Sequence, residues 1–191
     1  MRVTTVLRLS GLRPAMLHVK DPEWYLRRGS IIHKAVALMD QGKLDWTSLD
    51  ERIVPFVKAA QKFRAECGGK LVAAEMEVAD LTRGIVGHLD AIYRGMRLRG
   101  HKNKLCLVDW KTNQVDDATA VQTAAYAEMS TLRIAHRCGV ALHDDGSYKV
   151  TWFTDYAGDL AGWYGAVEVA KWRLRNGQME DGEQDRKEEL T

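Results

Sequence analysis

Three acidic side chains and one lysine are spaced along the chain in a pattern that could bind a metal ion. Glu75, Asp90 and Asp109 fall in or at the ends of three successive predicted strands, and Glu77 is an alternative to Glu75. Lys111 follows Asp109 by two residues, so on a strand both side chains point to the same face. Because buried charges are unfavourable unless they are paired or bound to a metal, this pattern needs a physical reason.

Convergence of these carboxylates would favour a bound cation. An ordinary ion pair explains Asp109 and Lys111 taken alone, but three carboxylates in one place raise each other's pKa values unless a cation neutralises them. Carboxylate oxygens suit Mg²⁺ or Mn²⁺. Such an ion polarises a phosphodiester and lowers the pKa of a bound water. A nearby lysine can orient or deprotonate that water, or stabilise the charge that builds on phosphorus.

The elements that must position these residues form a sheet flanked by helices. Hydrophobic periodicity and turn residues predict the elements. They are, in chain order, a helix over 27–41, a helix between 48 and 67, strands over 71–79, 84–93 and 105–111, a helix from 116 or 117 to about 136, a strand over 148–154 and a helix over 159–175. This order predicts one small α/β or α+β domain over residues 1–176.

Charge is unevenly distributed along the 191 residues. Residues 177–191 carry a net charge of −4 and lack apolar anchors, so we expect a disordered acidic tail, and a net charge of +6 is left on the rest of the chain. A mildly basic body suits a polyanionic partner. A basic cluster beside the predicted catalytic strands could follow phosphates or form a solvated hairpin tip. It consists of Arg94, Arg97, Arg99, Lys102 and Lys104.

Hydropathy and cysteine placement argue against several other classes of protein. No apolar run approaches the roughly 20 residues that span a membrane, and residues 1–8 lack the apolar region of a signal peptide. We therefore expect a cytoplasmic protein without a membrane partner. Cys67, Cys106 and Cys138 are far apart and form no C-x-x-C pair, which argues against a zinc or iron–sulfur site and against disulfides. Three reduced thiols, partly in the core, are expected instead.

Five motifs occur in an order that resembles one family of nucleases. They are Gly29-Ser30-Ile31-Ile32-His33, Glu75, Gly87-His88-Leu89-Asp90, Val108-Asp109-Trp110-Lys111 and Gln122-x-x-x-Tyr126. The pattern resembles the PD-(D/E)XK superfamily and, within it, the RecB-like and phage-exonuclease branch. That branch is typified by G-x-x-D on the second core strand, D-x-K on the third and Q-x-x-x-Y on the next helix. Glu75 stands 15 residues before Asp90, as in phage members, which favours it over Glu77.

The resemblance covers roughly residues 25–155 and implies a fold and a metal site. The fold would be the restriction-endonuclease-like αβββαβ core, a mixed central sheet flanked by helices. Asp90 and Asp109 would be the main metal ligands, and the backbone carbonyl of Trp110 would be another. Glu75 would complete the metal shell, directly or through water. His33 would bind a second metal or help to place the scissile phosphate.

The same resemblance implies roles for three further side chains. Lys111 would act on the attacking water. Gln122 and Tyr126, one helical turn apart on one face, would connect the site to the DNA backbone. The cofactor would be one or two Mg²⁺ or Mn²⁺ ions. No iron–sulfur cluster is expected, because the members that carry one have four cysteines around the nuclease core.

The activity that the resemblance implies is hydrolysis of DNA phosphodiester bonds. We expect an exonuclease that acts on DNA ends or single strands in phage or bacterial recombination and repair, in a bacterial cell or a phage-infected host. Alternatives are a structure-specific or nicking endonuclease on the same core and a non-catalytic nucleic-acid-binding domain. Intact Asp90, Asp109 and Lys111 argue against the last. A recombinase, an annealing protein or a helicase would be a separate chain, and the oligomeric state stays open.

Overall fold

The computed structural model describes residues 1–13, 22–97 and 103–178. Within them, five strands form one sheet in the order β1-β2-β3-β4-β5. The strands are β1 (Lys70–Asp80), β2 (Ile85–Arg94), β3 (Leu105–Thr112), β4 (Ile134–Leu142) and β5 (Tyr148–Phe153). Neighbouring strands are antiparallel except for β3 and β4, which are parallel. The sheet is therefore mixed.

Helices cover both faces of this sheet. They are α1 (Val3–Ser10), α2 (Pro22–Asp40), α3 (Val54–Cys67), α4 (Ala118–Met129) and α5 (Tyr156–Arg175), with a short 3₁₀ turn at Trp46–Ser48. α2 and α3 pack on one face around Phe56, Phe63 and Trp110. α1, α4 and α5 pack on the other face around Leu7, Leu107 and Trp163. The two apolar layers hold the central strands between them, as expected of a sheet buried on both faces.

Local sequence explains where several elements begin and end. Pro55 lies in the first turn of α3, where no helical hydrogen bond needs its missing N–H, and Gly68 ends that helix at φ +62°. The Asp155 side chain accepts the backbone N–H of Gly158 at 2.9 Å and caps α5. β3 is an apolar run that is buried from Leu105 to Trp110, which suits a central strand.

The expected α+β fold with a restriction-endonuclease-like core is confirmed, with one correction to its order. The helix predicted to reach about residue 136 ends at Met129, and Ile134–Leu142 forms β4 instead. Alanine and leucine in the predicted helix favour helical structure locally. The strand that follows is buried beside β3 from Arg137 to Leu142. A Cβ atom added at Gly139 would lie 2.8 Å from Val115 Cγ1, so this strand packs tightly against the loop before α4. The predicted strand over 148–154 is β5, outside the αβββαβ core.

The N-terminal segment contains a helix that the sequence did not indicate. The eight-residue α1 lies before residue 27, where the first predicted helix begins, and its apolar side is buried. Arg99, Lys102 and residues 179–191 of the expected acidic tail lie outside the described residues. In the part of the chain that is described, no helix has both the length and the hydropathy of a membrane span.

Cys67, Cys106 and Cys138 are free thiols, and all three are buried where the sequence indicated only part of them in the core. Cys106 on β3 and Cys138 on β4 place their Sγ atoms 4.0 Å apart. Burial raises the pKa of the Cys67 thiol to about 12 and that of Cys138 well above its ordinary value. These thiols therefore belong to the core.

Candidate active site

The site forms where β2 and β3 stop pairing. Their ladder runs from Arg94 back to Ala91, which pairs with Val108. Asp90 and Asp109 are the next residues along the two strands. There the Asp90 Oδ2 accepts the backbone N–H of Trp110 at 2.7 Å, so a carboxylate takes the place of a ladder partner. The end of the ladder thus brings the carboxylates of Asp90 and Asp109 together in a largely buried region.

His33 and Glu75 approach Asp90 from two other elements. His33, half-buried on α2, places Nδ1 3.2 Å from Asp90 Oδ1. Glu75 lies on β1 between two residues that pair with the neighbours of Asp90, so the register sets it opposite Asp90. One ligand atom from each of these three residues lies within 4.8 Å of the others. A nitrogen and two carboxylate oxygens at this spacing can hold one cation.

The backbone of Glu75 is in an unusual conformation. Its φ of +49° is in the left-handed region, which costs a non-glycine residue conformational energy. Such strain persists only where surrounding contacts impose it, and it is frequent at functional sites. Glu77, the alternative first-strand acid, instead faces His88, with Oε2 and Nε2 3.4 Å apart on the exposed surface. The structure therefore brings Glu75, and not Glu77, to His33 and Asp90.

Asp109 is buried with a single charged partner. Its side chain is 1% exposed, and the Lys111 Nζ lies 2.5 Å from its Oδ2. Apart from this ammonium, no donor among the described residues contacts either carboxylate oxygen. A buried carboxylate oxygen without a donor is unfavourable unless a cation or water reaches it. Asp109 Oδ1 is therefore suited to contact a cation.

The surroundings of Asp90 and Asp109 shift the pKa values of the two carboxyl groups in opposite directions. Burial raises the pKa of Asp109, and the nearby charge of Asp90 adds to this against the opposing effect of Lys111. Burial also acts to raise the pKa of Asp90, but His33, Lys111 and the Trp110 N–H together hold it below its usual value. Asp109 is thus harder to ionise than Asp90. An added cation would favour ionisation of both.

Burial and the charge of Asp90 also shift the pKa values of Glu75 and His33. Desolvation of its carboxylate and the charge of Asp90 raise the pKa of Glu75. Burial lowers the pKa of His33, but the adjacent Asp90 outweighs burial and the pKa is raised. His33 therefore has a greater tendency to carry a proton in the metal-free protein. A cation at this place would compete with that proton for the ring nitrogen.

A chain of hydrogen bonds extends from the lysine into α4. Lys111 Nζ donates to Gln122 Oε1 at 3.3 Å, and Gln122 Nε2 donates to the Tyr126 hydroxyl at 2.9 Å. Arg13 Nη2 donates to the same Gln122 Oε1 at 2.9 Å, and Arg13 Nε lies 3.2 Å from Asp116 Oδ2. Gln122 and Tyr126 are both buried. In this arrangement they fix the position of the lysine ammonium.

Gly87 leaves the space that Tyr126 occupies. A Cβ atom at Gly87 would lie 2.5 Å from Tyr126 Cε1 and 3.0 Å from Val3 Cγ2, so a side chain would collide with the ring. Burial and the charge of Asp109 raise the pKa of Tyr126, which keeps its hydroxyl neutral. The G-x-x-D and Q-x-x-x-Y motifs are therefore in direct contact. Gly87 is needed for the close approach of α4 to β2.

The side chains of Trp110 and Asp116 have structural roles. The Trp110 ring is buried on the face opposite Lys111, with its centroid 5.3 Å from that of Phe63 in an edge-to-face arrangement, as expected of a core residue. Asp117 is the N-cap residue of α4, and the side chain of the preceding Asp116 accepts the Thr119 backbone N–H at 2.9 Å, which satisfies a donor of the first turn. A role for the Trp110 carbonyl as a ligand stays a prediction.

Sequence reasoning missed Arg13. It follows α1 and belongs to no motif, and its partner Asp116 is 103 residues away, so no local pattern could reveal it. Its guanidinium contacts the acceptor that also holds Lys111. Arg13 therefore adds a second basic side chain to the candidate site, beside Lys111.

One comparison with a solved structure agrees with the fold. No family model and no curated protein matches the chain. A crystal structure of a candidate exonuclease from Eubacterium rectale is similar, with 13% identity over 94% of this chain and 82% of its own and a TM-score of 0.57. An alkaline exonuclease from Laribacter hongkongensis has 10% identity over 93% of each chain and a TM-score of 0.36. The first of these likenesses supports the fold described above.

Proposed function

We propose that the protein is a divalent-metal-dependent deoxyribonuclease that hydrolyses phosphodiester bonds. One observation carries the proposal: ligand atoms of His33, Glu75 and Asp90 lie within 4.8 Å of one another, beside the buried Asp109–Lys111 pair. Like charges gather here at an energetic cost that a structural role does not explain. A cation and a phosphodiester would supply the missing partners.

The residues present fit a metal ion by their chemistry. Asp90, Glu75 and His33 would hold it, and Asp109 would join them through the oxygen that lacks a donor. The backbone carbonyl of Trp110 is proposed as a further ligand. Bound Mg²⁺ or Mn²⁺ would supply Lewis-acid polarisation of the scissile phosphate and a water of lowered pKa. Carboxylate-rich sites favour these two hard ions.

Lys111 would then act directly on the reacting groups. Its ammonium is largely buried and held between Asp109 Oδ2 and Gln122 Oε1, so it loses little freedom when substrate binds. We assign it to orient the attacking water and to stabilise the charge that develops on the phosphate. Gln122 and Tyr126 would act on that lysine as positioning residues. Their direct contact with the DNA backbone stays a prediction.

An exonuclease acting on DNA ends or single strands is the activity that we favour, with a place in recombination or repair. The motif pattern resembles the exonuclease branch, and the protein of similar fold from Eubacterium rectale is described as a candidate exonuclease. A recombinase, an annealing protein or a helicase would act as a separate chain.

The test is a cleavage time course on three DNA substrates. End-labelled linear duplex, single-stranded DNA and covalently closed circular DNA would be incubated with Mg²⁺, with Mn²⁺ and with EDTA. We expect metal-dependent loss of the linear substrates while circles remain intact, and the label lost first gives the polarity. Cleavage of closed circles would show an endonuclease instead. Absence of cleavage on all three substrates, with binding retained, would support the non-catalytic alternative.

A further inference from the structure

Two clefts share a wall at the end of the sheet away from the carboxylates. The first has a volume of about 590 Å³ and is lined by Arg94, Lys104 and Arg133 among other residues. The second has a volume of about 410 Å³ and is lined by Trp152, Phe153 and Tyr156 among others. Ile134 and Ala135 line both clefts. We call the two clefts together the sheet-end groove.

The position of this groove follows from strand direction. Arg94 ends β2, Leu105 begins β3 and Ile134 begins the parallel β4, so all three lie at one end of the sheet. Asp90 lies four residues before Arg94 on β2. At about 3.3 Å per residue, the basic end of the groove is about 13 Å from the carboxylates along the strand. The groove is therefore separate from the candidate active site, yet near enough for one nucleic acid to reach both.

The first cleft is positively charged without compensation. Arg94, Lys104 and Arg133 are exposed, and none of their side chains pairs with another described residue. No carboxylate is among the described residues that line the cleft. The connecting sequence over 95–104 also contains no aspartate or glutamate. Three like charges around one concave surface produce a positive potential that attracts a polyanion.

The second cleft presents aromatic rings that are held in place. Tyr156 is 41% exposed, and the guanidinium of Arg137 lies 5.1 Å from the centroid of its ring and 6.0 Å from that of Phe153. Arg137 is itself buried and fixed, since its Nη2 lies 2.7 Å from Asp159 Oδ2. The Tyr156 hydroxyl donates to Glu128 at 2.9 Å. A ring positioned in advance can stack on a base with little loss of conformational entropy.

We propose that the sheet-end groove binds a single-stranded nucleic acid. Phosphates would contact Arg94, Lys104 and Arg133, and a base would stack on Tyr156. Positive charge next to an exposed aromatic ring is the combination by which proteins hold single strands without reading their sequence. The groove would hold the strand that continues from the cleavage site. The choice of nucleic acid as the polyanion rests on the proposed function, whereas the charge and the rings do not.

The test compares matched variants in a binding assay without metal. Fluorescence anisotropy of a fluorescein-labelled oligodeoxythymidine of about 20 nucleotides would be measured in EDTA at several salt concentrations. The double variant Arg94→Ala/Arg133→Ala removes two cations of the groove. The control Lys58→Ala/Lys62→Ala removes two exposed cations from α3, on the opposite face of the sheet from α4 and α5. Tyr156→Ala removes the ring, and Tyr156→Phe keeps it.

The expected results follow from counterion release and stacking. Arg94→Ala/Arg133→Ala should weaken binding about tenfold and reduce the slope of log K against log salt by about 1.4, while the lysine control leaves both unchanged. Tyr156→Ala should weaken binding roughly tenfold, and Tyr156→Phe should stay within about twofold of the wild type. A change in salt slope would not follow from a merely structural effect.

Cleavage of DNA by the same preparations separates the two proposals. If the wild type cleaves DNA but Arg94→Ala/Arg133→Ala binds the oligonucleotide as the lysine control does, the groove proposal is wrong and the nuclease proposal stands. A wild type that cleaves duplex but does not bind the oligonucleotide also overturns the groove proposal. Binding that depends on Arg94 and Arg133, without cleavage of any substrate, would support the groove and overturn the proposed activity.

Discussion

The Asp90 carboxylate accepts the backbone N–H of Trp110 at 2.7 Å, at the point where β2 and β3 stop pairing. This bond fixes one oxygen of Asp90 and leaves the other 3.2 Å from the His33 ring. The strand that carries Asp109 and Lys111 is thereby tied to the carboxylate of its neighbour. Backbone and side chains together set the spacing of the candidate site.

The metal shell is tested by Asp109→Asn. The substitution keeps the shape of the side chain but removes the charge, so Mn²⁺ affinity should fall by at least about tenfold. Isothermal titration calorimetry with Mn²⁺ measures this change. Asp145→Asn, in an exposed turn, is the control and should leave the affinity unchanged. An unaltered Mn²⁺ affinity in Asp109→Asn would remove Asp109 from the metal shell.

Arg13 is tested as a positioning residue. It donates to the Gln122 oxygen that also accepts from Lys111. In Arg13→Ala, loss of the charged hydrogen bond to Gln122, about 1.5–3 kcal/mol, should lower kcat/KM for DNA cleavage roughly tenfold to 100-fold. Arg13→Lys should recover part of that loss. Arg52→Ala, which removes an exposed pair with Asp50, should change little; equal kinetics for Arg13→Ala and Arg52→Ala would exclude a role for Arg13.

Gly87→Ala tests the contact between the second strand and α4. The added methyl group would meet the Tyr126 ring at 2.5 Å, so we expect a loss of about 1–3 kcal/mol in the free energy of unfolding. Gly165→Ala is a control in α5, where nothing lies within 4 Å of the added Cβ. It should instead stabilise the protein by about 0.5–1 kcal/mol. Urea unfolding measures both, and a Gly87→Ala variant as stable as the wild type would contradict this packing.

The buried thiols predict low reactivity in the native protein. The thiolate is the reacting species, and burial raises the pKa of Cys67 to about 12, so little thiolate is present near pH 8. Iodoacetamide labelling followed by mass spectrometry should modify the cysteines slowly in buffer and rapidly in urea. Native labelling of Cys67 at the rate found in urea would show that α3 does not bury it.

Local patterns predicted the centre of the site but not its surroundings. The two-residue period of a strand places Asp109 and Lys111 on one face, and the apolar run before them predicts β3. The register of β1 against β2 sets Glu75 opposite Asp90 and pairs Glu77 with His88, and residue types reveal neither this register nor the positive φ at Glu75. Arg13 meets Asp116 only after the chain has folded.

The error over β4 has a similar origin. Ala135, His136 and Arg137 have no strong strand propensity, so local preferences allowed the preceding helix to continue. Parallel pairing with β3 fixes Ile134–Leu142 as a strand. Burial of its second half against the loop before α4 supplies the stabilisation that periodicity alone did not indicate.

Cleavage by Lys111→Ala tests the central claim most directly. End-labelled linear DNA would be incubated with Mn²⁺ and either wild type, Lys111→Ala or Lys58→Ala, the last a change of an exposed lysine on α3. Loss of the ammonium between Asp109 and Gln122 should reduce the cleavage rate by roughly 10²–10³-fold, with folding and DNA binding in EDTA retained. Lys58→Ala should cleave as the wild type does. Undiminished cleavage by Lys111→Ala would contradict the assignment of this site as the active site.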